Sequence, residues 1–172
     1  MKKNIGWCIT GAGHEIHEIY GFISEVEGVE LFMSRAAEEV SKIYKVDPNN
    51  FSGKMHTEKS SSSPICGKFA SNQYRGLVVA PATSNSVAKF VLGISDTLIT
   101  NIFAHAGKAR VPTIVYPTDV APEMQSMGPS KPVMVYPRKV DLAHTNELST
   151  FETVTVVRSI DELRITVLEM FC

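Results

Sequence analysis

Short apolar runs alternate along this chain with longer stretches in which apolar residues return every three or four positions. Residues 5–9 form the first run, which stops at Thr10, Gly11, Ala12 and Gly13; beyond them Ile16, Ile19, Tyr20, Ile23 and Val26 fall at helical spacing. The unit is strand, turn, helix. A second run, 29–33, ends at Ser34, a residue type that caps helices by accepting a backbone N–H, and a helix carrying Ala36, Ala37, Val40 and Ile43 follows. Residues 77–80 predict a third strand, with helices over about 85–92 and 97–108. Runs at 112–116 and 133–136, each closed by a proline, predict two more strands, and 154–157 predicts the last, ahead of a terminal helix over about 160–170.

Nearly continuous apolar strands separated by amphipathic helices predict an α/β fold, a three-layer sandwich with a mainly parallel, Rossmann/flavodoxin-like sheet, because right-handed crossovers place helices over both faces. At 172 residues the chain fits a single domain that buries enough apolar surface to fold without staples. In such sheets ligands settle at the carboxyl ends of the strands. That directs attention to TGAG, SRAA, PATSNS, PTDVAPEM and YPRKVD, all of which follow predicted strands. The polar stretch 47–63, which includes the serine run 60–63, reads as a mobile loop or lid.

Composition narrows the function. With 44% hydrophobic and 20% charged residues and a formal net charge of -1, the chain has neither a disordered composition nor a basic footprint for nucleic acid. Cys8, Cys66 and Cys172 share no metal-like spacing and are odd in number, which fits reduced thiols of a cytoplasmic protein. No cleavage-type leader and no run of about 18 apolar residues is present, so no membrane association is expected. His14 and His17 flank Glu15 and Ile16, but the zinc helix H-E-x-x-H needs histidine where Glu18 stands, so no metal is implied.

Two strand ends carry candidate chemistry. Glycines in TGAG let backbone N–H groups approach an anion at a helix start. The full G-x-G-x-x-G is missing, and Ser34 and Arg35 stand where a dinucleotide fold would place an acidic residue for the ribose. A hydroxyl and a cation suit a single phosphate, although a tight turn and an ordinary helix cap account for the same residues. Thr83, Ser84, Asn85 and Ser86 put four small polar groups at the next helix start, where a cap requires one. His14 follows the glycine turn and fits either a phosphate contact or a solvated first-turn histidine. His56 and Lys59, in the polar stretch, fit either a loop closing over a ligand or a plain surface loop. Arg138, beyond a strand end, fits an acidic substrate tail or a surface cation.

CITGAG, FMSRAAEE and APATSNSVAKFVLGISDTLIT, in that order, resemble the fold shared by FMN-dependent cysteine decarboxylases, phosphopantothenoylcysteine decarboxylases and flavin prenyltransferases. The likeness spans roughly residues 1–120. It implies a bound FMN, with Gly11, Ala12, Gly13, Ser34 and Ser86 around the phosphate and ribityl chain, and with Ala82, Thr83 and Asn85 against the isoalloxazine ring. His14 and Arg35 join that cofactor set, and Thr118, Asp119 and Arg138 are its substrate-side candidates.

The departures are informative. Where the decarboxylases carry a catalytic histidine, this chain has Gly67, and their substrate clamp is replaced by Pro117, Thr118, Asp119 and Val120. The arginine and glutamate of the prenyltransferases also have no counterpart here. Redox use of the flavin is what these losses leave. Residues 7–14, W-C-I-T-G-A-G-H, and 133–141, with Tyr136, Pro137, Arg138 and Asp141, are similar to archaeal-type flavoproteins that include dihydromethanopterin reductases and acceptors of ferredoxin electrons. The resemblance implies a reductase of dihydromethanopterin or a related pterin, fed by a ferredoxin-type donor and assembled as a homo-oligomer built from trimers. A flavin electron carrier without a small-molecule substrate, and a cysteine decarboxylase, are the alternatives.

Overall fold

The computed structural model describes residues 4–60, 64–71 and 73–172. Its elements in chain order are β1 (Asn4–Ile9), α1 (Ile16–Glu25), β2 (Val29–Met33), α2 (Arg35–Ile43), β3 (Lys54–Thr57), α3 (Gly67–Ala70), β4 (Tyr74–Ala82), α4 (Ser84–Leu92) and α5 (Leu98–Lys108). After them come β5 (Thr113–Pro117), β6 (Met124–Met127), β7 (Pro132–Val135), α6 (Lys139–Leu148), β8 (Val154–Val156) and α7 (Ile160–Phe171). Six strands form one sheet in the order β3-β2-β1-β4-β5-β8, and every neighbouring pair is parallel.

Strand pleating sorts the side chains into two cores. Ile5, Trp7 and Ile9 of β1 and Val78 and Ala80 of β4 point to one face, where α1 and α7 supply Ile19, Phe22, Leu163 and Val167. Cys8, Leu77 and Val79 point to the other, against Val87 and Phe90 of α4 and Ile99, Ile102 and Phe103 of α5. Both faces are covered over the inner strands, so β1, β2, β4 and β5 are mostly apolar. Trp7 is fully buried and donates its indole N–H to the Ala80 carbonyl at 2.9 Å. With roughly 200 Å² of ring at about 25 cal/mol per Å², it contributes on the order of 5 kcal/mol of transfer free energy.

Three departures from the sequence expectations bear on the site. The described part of the stretch 47–63 is not loop throughout: it holds a 3-10 turn, Pro48–Asn50, and the edge strand β3, which pairs with β2. Ser61, Ser62 and Ser63 of the serine run lie outside the described residues. The stretch reads as loop because an edge strand is half solvated and carries polar side chains. The run near 133–136 is β7, which leaves the main sheet and pairs antiparallel with β6 as a separate hairpin. YPRKVD is therefore a helix start at the end of that hairpin rather than a loop on the parallel sheet, since α6 begins at Lys139. Among the described residues no helix is long and apolar enough to cross a membrane.

Candidate functional site

Strand order reverses between β1 and β4: the chain builds outward through β2 and β3 on one side and through β5 and β8 on the other. Loops leaving β1 and β4 must diverge to opposite faces there, which opens a crevice at the carboxyl edge. Thr10 fastens the two loops together. Its hydroxyl donates to the Pro81 carbonyl at 2.8 Å and accepts the Thr83 amide at 2.9 Å, while its own amide reaches the Pro81 carbonyl at 3.2 Å. Three helices then start around the crevice. Ser34 Oγ accepts from the Ala37 amide, Thr83 Oγ1 from the Ser86 amide and Thr97 Oγ1 from the Thr100 amide, so the N-termini of α2, α4 and α5 all turn their positive ends to this edge.

The glycines of TGAG are needed for close approach. A Cβ on Gly11 would come within 2.5 Å of the Ala36 Cβ, and one on Gly13 within 2.1 Å of the Tyr44 ring. Neither glycine is among the positive-φ residues. Packing of α2 against the turn, and not backbone conformation, excludes a side chain at Gly11, while one at Gly13 would displace the half-buried Tyr44 phenol.

Two adjoining cavities share Gly11, Thr83 and Asn85. The second, of about 430 Å³, is polar at its rim: Ser34, Arg35, Ser86 and Thr97 face it, together with the acidic Glu39 and Glu58. The first, of about 400 Å³, brings together Ala12, Gly13, His14, Thr118 and Asp119. Its far wall is the β6–β7 hairpin, through Met124, Ser126, Val133 and Val135. His14 Nδ1 lies 2.9 Å from Ser126 Oγ and so ties that hairpin to the first loop.

Asp119 is half-buried and accepts a hydrogen bond from Ser84 Oγ. Burial, with the Asp141 carboxylate beyond it, raises its pKa above the ordinary carboxylate range, against the pull of His14 and Arg138. Below it, Tyr116 donates to Glu15 Oε2 at 2.6 Å; burial and that carboxylate push the phenol up.

The structure gathers eleven of the thirteen sequence candidates around these cavities: Gly11, Ala12, Gly13, His14, Ser34, Arg35, Thr83, Asn85, Ser86, Thr118 and Asp119. It does not gather Ala82 or Arg138. Ala82 is fully buried in the core of the α4–α5 face, and its carbonyl accepts the Thr118 amide at 2.9 Å, so it positions the β5 loop and lines neither cavity. Arg138 has a side chain 71% exposed and bound back on Asp141 at 2.7 Å and 2.8 Å, at the start of α6. His56 also does not close over the site. It pairs with Glu30 at 2.5 Å and stacks on Phe32. Residues that sequence reasoning missed are Tyr44, Glu58 and Ser126. None leaves a clear trace: the burial of β6 alternates in the fold, but its sequence MQSM runs apolar, polar, polar, apolar and so lacks the period of a half-exposed strand.

The Flavoprotein family profile matches residues 1–170. Over 133 residues the chain is 39% identical to dihydromethanopterin reductase (acceptor) of Methanosarcina mazei, covering 69% of this chain and 56% of that protein. Against the same-named protein of Methanocaldococcus jannaschii it is 38% identical, covering 69% and 54%. The chain thus spans about half the length of these curated relatives. Among solved structures, Burkholderia xenovorans DmrB in complex with FMN, described as a cubic protein cage for redox transfer, superposes with a TM-score of 0.88 at 37% identity, covering 98% of this chain and 94% of that one.

Proposed function

The chain belongs to the Flavoprotein family, and on that premise we propose that it is an FMN-dependent oxidoreductase which reduces dihydromethanopterin or a related pterin with electrons from a ferredoxin-type donor. The observation that carries the reading is the pair of contiguous cavities at the switch point, one ringed by hydroxyls, a cation and helix N-termini, the other walled by an apolar hairpin. This donor set fits a ligand with an anionic end and a flat apolar end. Ser34, Arg35 and Ser86 would hold the phosphate, and the backbone of Gly11, Ala12 and Gly13 the chain beside it. Thr83 and Asn85, shared by both cavities, would flank the junction, with Tyr44, Met124 and Val135 against the ring. When bound, FMN supplies the electron and hydride chemistry.

The chain's own residues then do positional and electrostatic work. The hairpin, latched through His14 and Ser126, would flank one side of the bound ring. Thr118 and Asp119 stand at the mouth of the ring cavity, where Asp119, its ionisation opposed by burial, offers a hydrogen-bonding carboxyl to a nitrogen-rich heterocycle. The unit is proposed to work as one cytoplasmic flavoprotein domain within a homo-oligomer built from trimers. The test is anaerobic: reduce the FMN-loaded protein, add a dihydropterin and follow the oxidised-flavin absorbance. Its return in step with pterin consumption is the expected result. A flavin that stays reduced with pterin, yet is reoxidised by a one-electron protein acceptor, replaces the reductase with a carrier.

A further inference from the structure

A third cavity, of about 310 Å³, adjoins the ring cavity and is lined on its solvent side by the exposed His17 and Glu18. Four residues line both spaces: Gly13, His14, Tyr44 and Ser126. Of these residue types, only histidine exchanges a proton readily near neutral pH. The His14 side chain is 13% exposed, so its imidazole sits in the partition between the two cavities. Nδ1 lies 2.9 Å from Ser126 Oγ, and Nε2 lies 4.0 Å from Glu15 Oε2. That carboxylate is itself fixed, because Glu15 Oε2 accepts the Tyr116 phenol at 2.6 Å. Glu15 is held in the left-handed region, with φ at 50°, a conformation unfavourable for any residue with a side chain. It stands at the N-cap of α1, yet its side chain makes no capping bond. The strained backbone instead goes with a carboxylate set between Tyr116 and His14, an arrangement of the kind found where strain serves a site.

Resting on the flavin and pterin reading above, we infer that His14 is the proton donor of the reduction, and that Glu15 and Tyr116 are its positioning residues. Reducing the C=N bond of a dihydropterin forms a C–H and an N–H bond. The hydride for carbon carries both electrons from the reduced flavin, which returns to its oxidised form. The proton for nitrogen comes from the His14 imidazolium, whose N–H bond breaks to leave neutral imidazole. Water in the outer cavity recharges it, and the Glu15 carboxylate stabilises the charged ring. Asp119 shares the ring cavity with His14 but does not reach the outer one, and its carboxylate is engaged by Ser84. It therefore orients the heterocycle while His14, which lines both spaces, moves the proton.

The experiment compares reoxidation of the reduced, FMN-loaded protein by a dihydropterin and by ferricyanide, which takes electrons without a proton. His14→Gln keeps a hydrogen-bonding group for Ser126 but has no proton to give. It is expected to slow the dihydropterin reaction about 100-fold, to leave the ferricyanide rate and the FMN Kd within about twofold, and to regain part of its rate with added imidazole. Ser126→Ala frees the hairpin but keeps the imidazole, and should lose less than about tenfold. A second measurement needs no flavin: deuterium exchange at His14 Cε1, read by mass spectrometry across a pH series, follows protonation of the ring. Glu15→Gln should move its midpoint to lower pH, because the partner charge is gone. The other titratable groups around His14, which are His17 and Glu18 of α1, Tyr44, Tyr116 of β5 and Asp119, are unchanged in that variant. A His14→Gln protein that reacts with dihydropterin at the wild-type rate, or an exchange midpoint unmoved by Glu15→Gln, overturns the inference and leaves the flavin reading standing. So does a His14→Gln protein that binds FMN weakly and is slowed equally with both acceptors, which would make His14 a cofactor contact. Reduced wild type that reacts with ferricyanide and not with dihydropterin overturns the reductase reading beneath it.

Discussion

The amide of Thr83 donates to the hydroxyl of Thr10 at 2.9 Å, across a sequence gap that the β1–β4 pairing closes. Because the same hydroxyl donates to the Pro81 carbonyl, one buried side chain fixes how far apart the two ligand-facing loops stand. Thr10→Val keeps the shape and strands the Thr83 amide. It is expected to cost about 1–3 kcal/mol in urea unfolding of the flavin-free protein and to weaken FMN binding as well. Thr10→Ser retains the hydroxyl and restores most of both.

Contact between Gly13 and Tyr44 gives a second prediction. Gly13→Ala puts a methyl group into the Tyr44 ring and is expected to lower FMN affinity by about tenfold or more, since overpacking of this kind costs roughly 1–3 kcal/mol. Tyr44→Ala in the same chain opens the space. A double-mutant cycle on FMN affinity should therefore show the two changes to be strongly non-additive; simple additivity would mean the contact does not shape the site.

Glu30 of β2 and His56 of β3 form a pair outside both cavities. Burial is the strongest influence on Glu30 and opposes its ionisation, but His56, Tyr74 and the Lys54 charge together outweigh it, and the net pKa is lowered. A carboxylate lowered on folding contributes stability above its unfolded pKa of about 4.3 and loses it as pH falls through the folded value. Glu30→Gln should therefore flatten the acid limb of the stability profile and cost about 3 kcal/mol at neutral pH, the low end for breaking a buried pair. FMN affinity should not move, because the pair touches no ligand-facing residue.

Asp119 has the opposite sign. Burial and Asp141 raise its pKa, so the folded chain holds its proton longer than the unfolded one, and stability falls as pH rises from about 3.9 to the folded value. Asp119→Asn, which keeps an acceptor for Ser84, is expected to remove that descent and to leave the protein at least as stable at neutral pH. Its FMN affinity should hold while the KM for the pterin rises several-fold. An increase in FMN Kd instead would place Asp119 against the cofactor.

What the sequence made legible follows from the range of the interactions involved. Apolar periodicity located β1, β2, β4 and β5 because strands buried on both faces have no choice of residue, and the edge strand β8 through the short run Val154–Val156. The cavity residues at the ends of β1 and β4 were legible because parallel topology sends every such loop to one edge. Tyr44 was not, since its contact with Gly13 is made by tertiary packing of the α2 end against the turn. Glu58 was hidden by its neighbourhood: polar edge strands and polar loops share a composition, and only the pairing of β3 with β2 distinguishes them. Arg138 stands outside both cavities for a related reason, although its charge acts on Asp119. A cation after a run of apolar residues marks a ligand loop only if that run belongs to the main sheet, and β7 does not.

The account depends on the groove between the β1 and β4 loops holding FMN, and an equilibrium titration of flavin-free protein with FMN tests this most directly. Stoichiometric uptake at micromolar affinity or tighter is predicted, with loss of binding in a Ser34→Ala, Ser86→Ala double variant that keeps its native circular dichroism. Folded protein that takes up no FMN, or a double variant that binds it as tightly as wild type, would contradict the account.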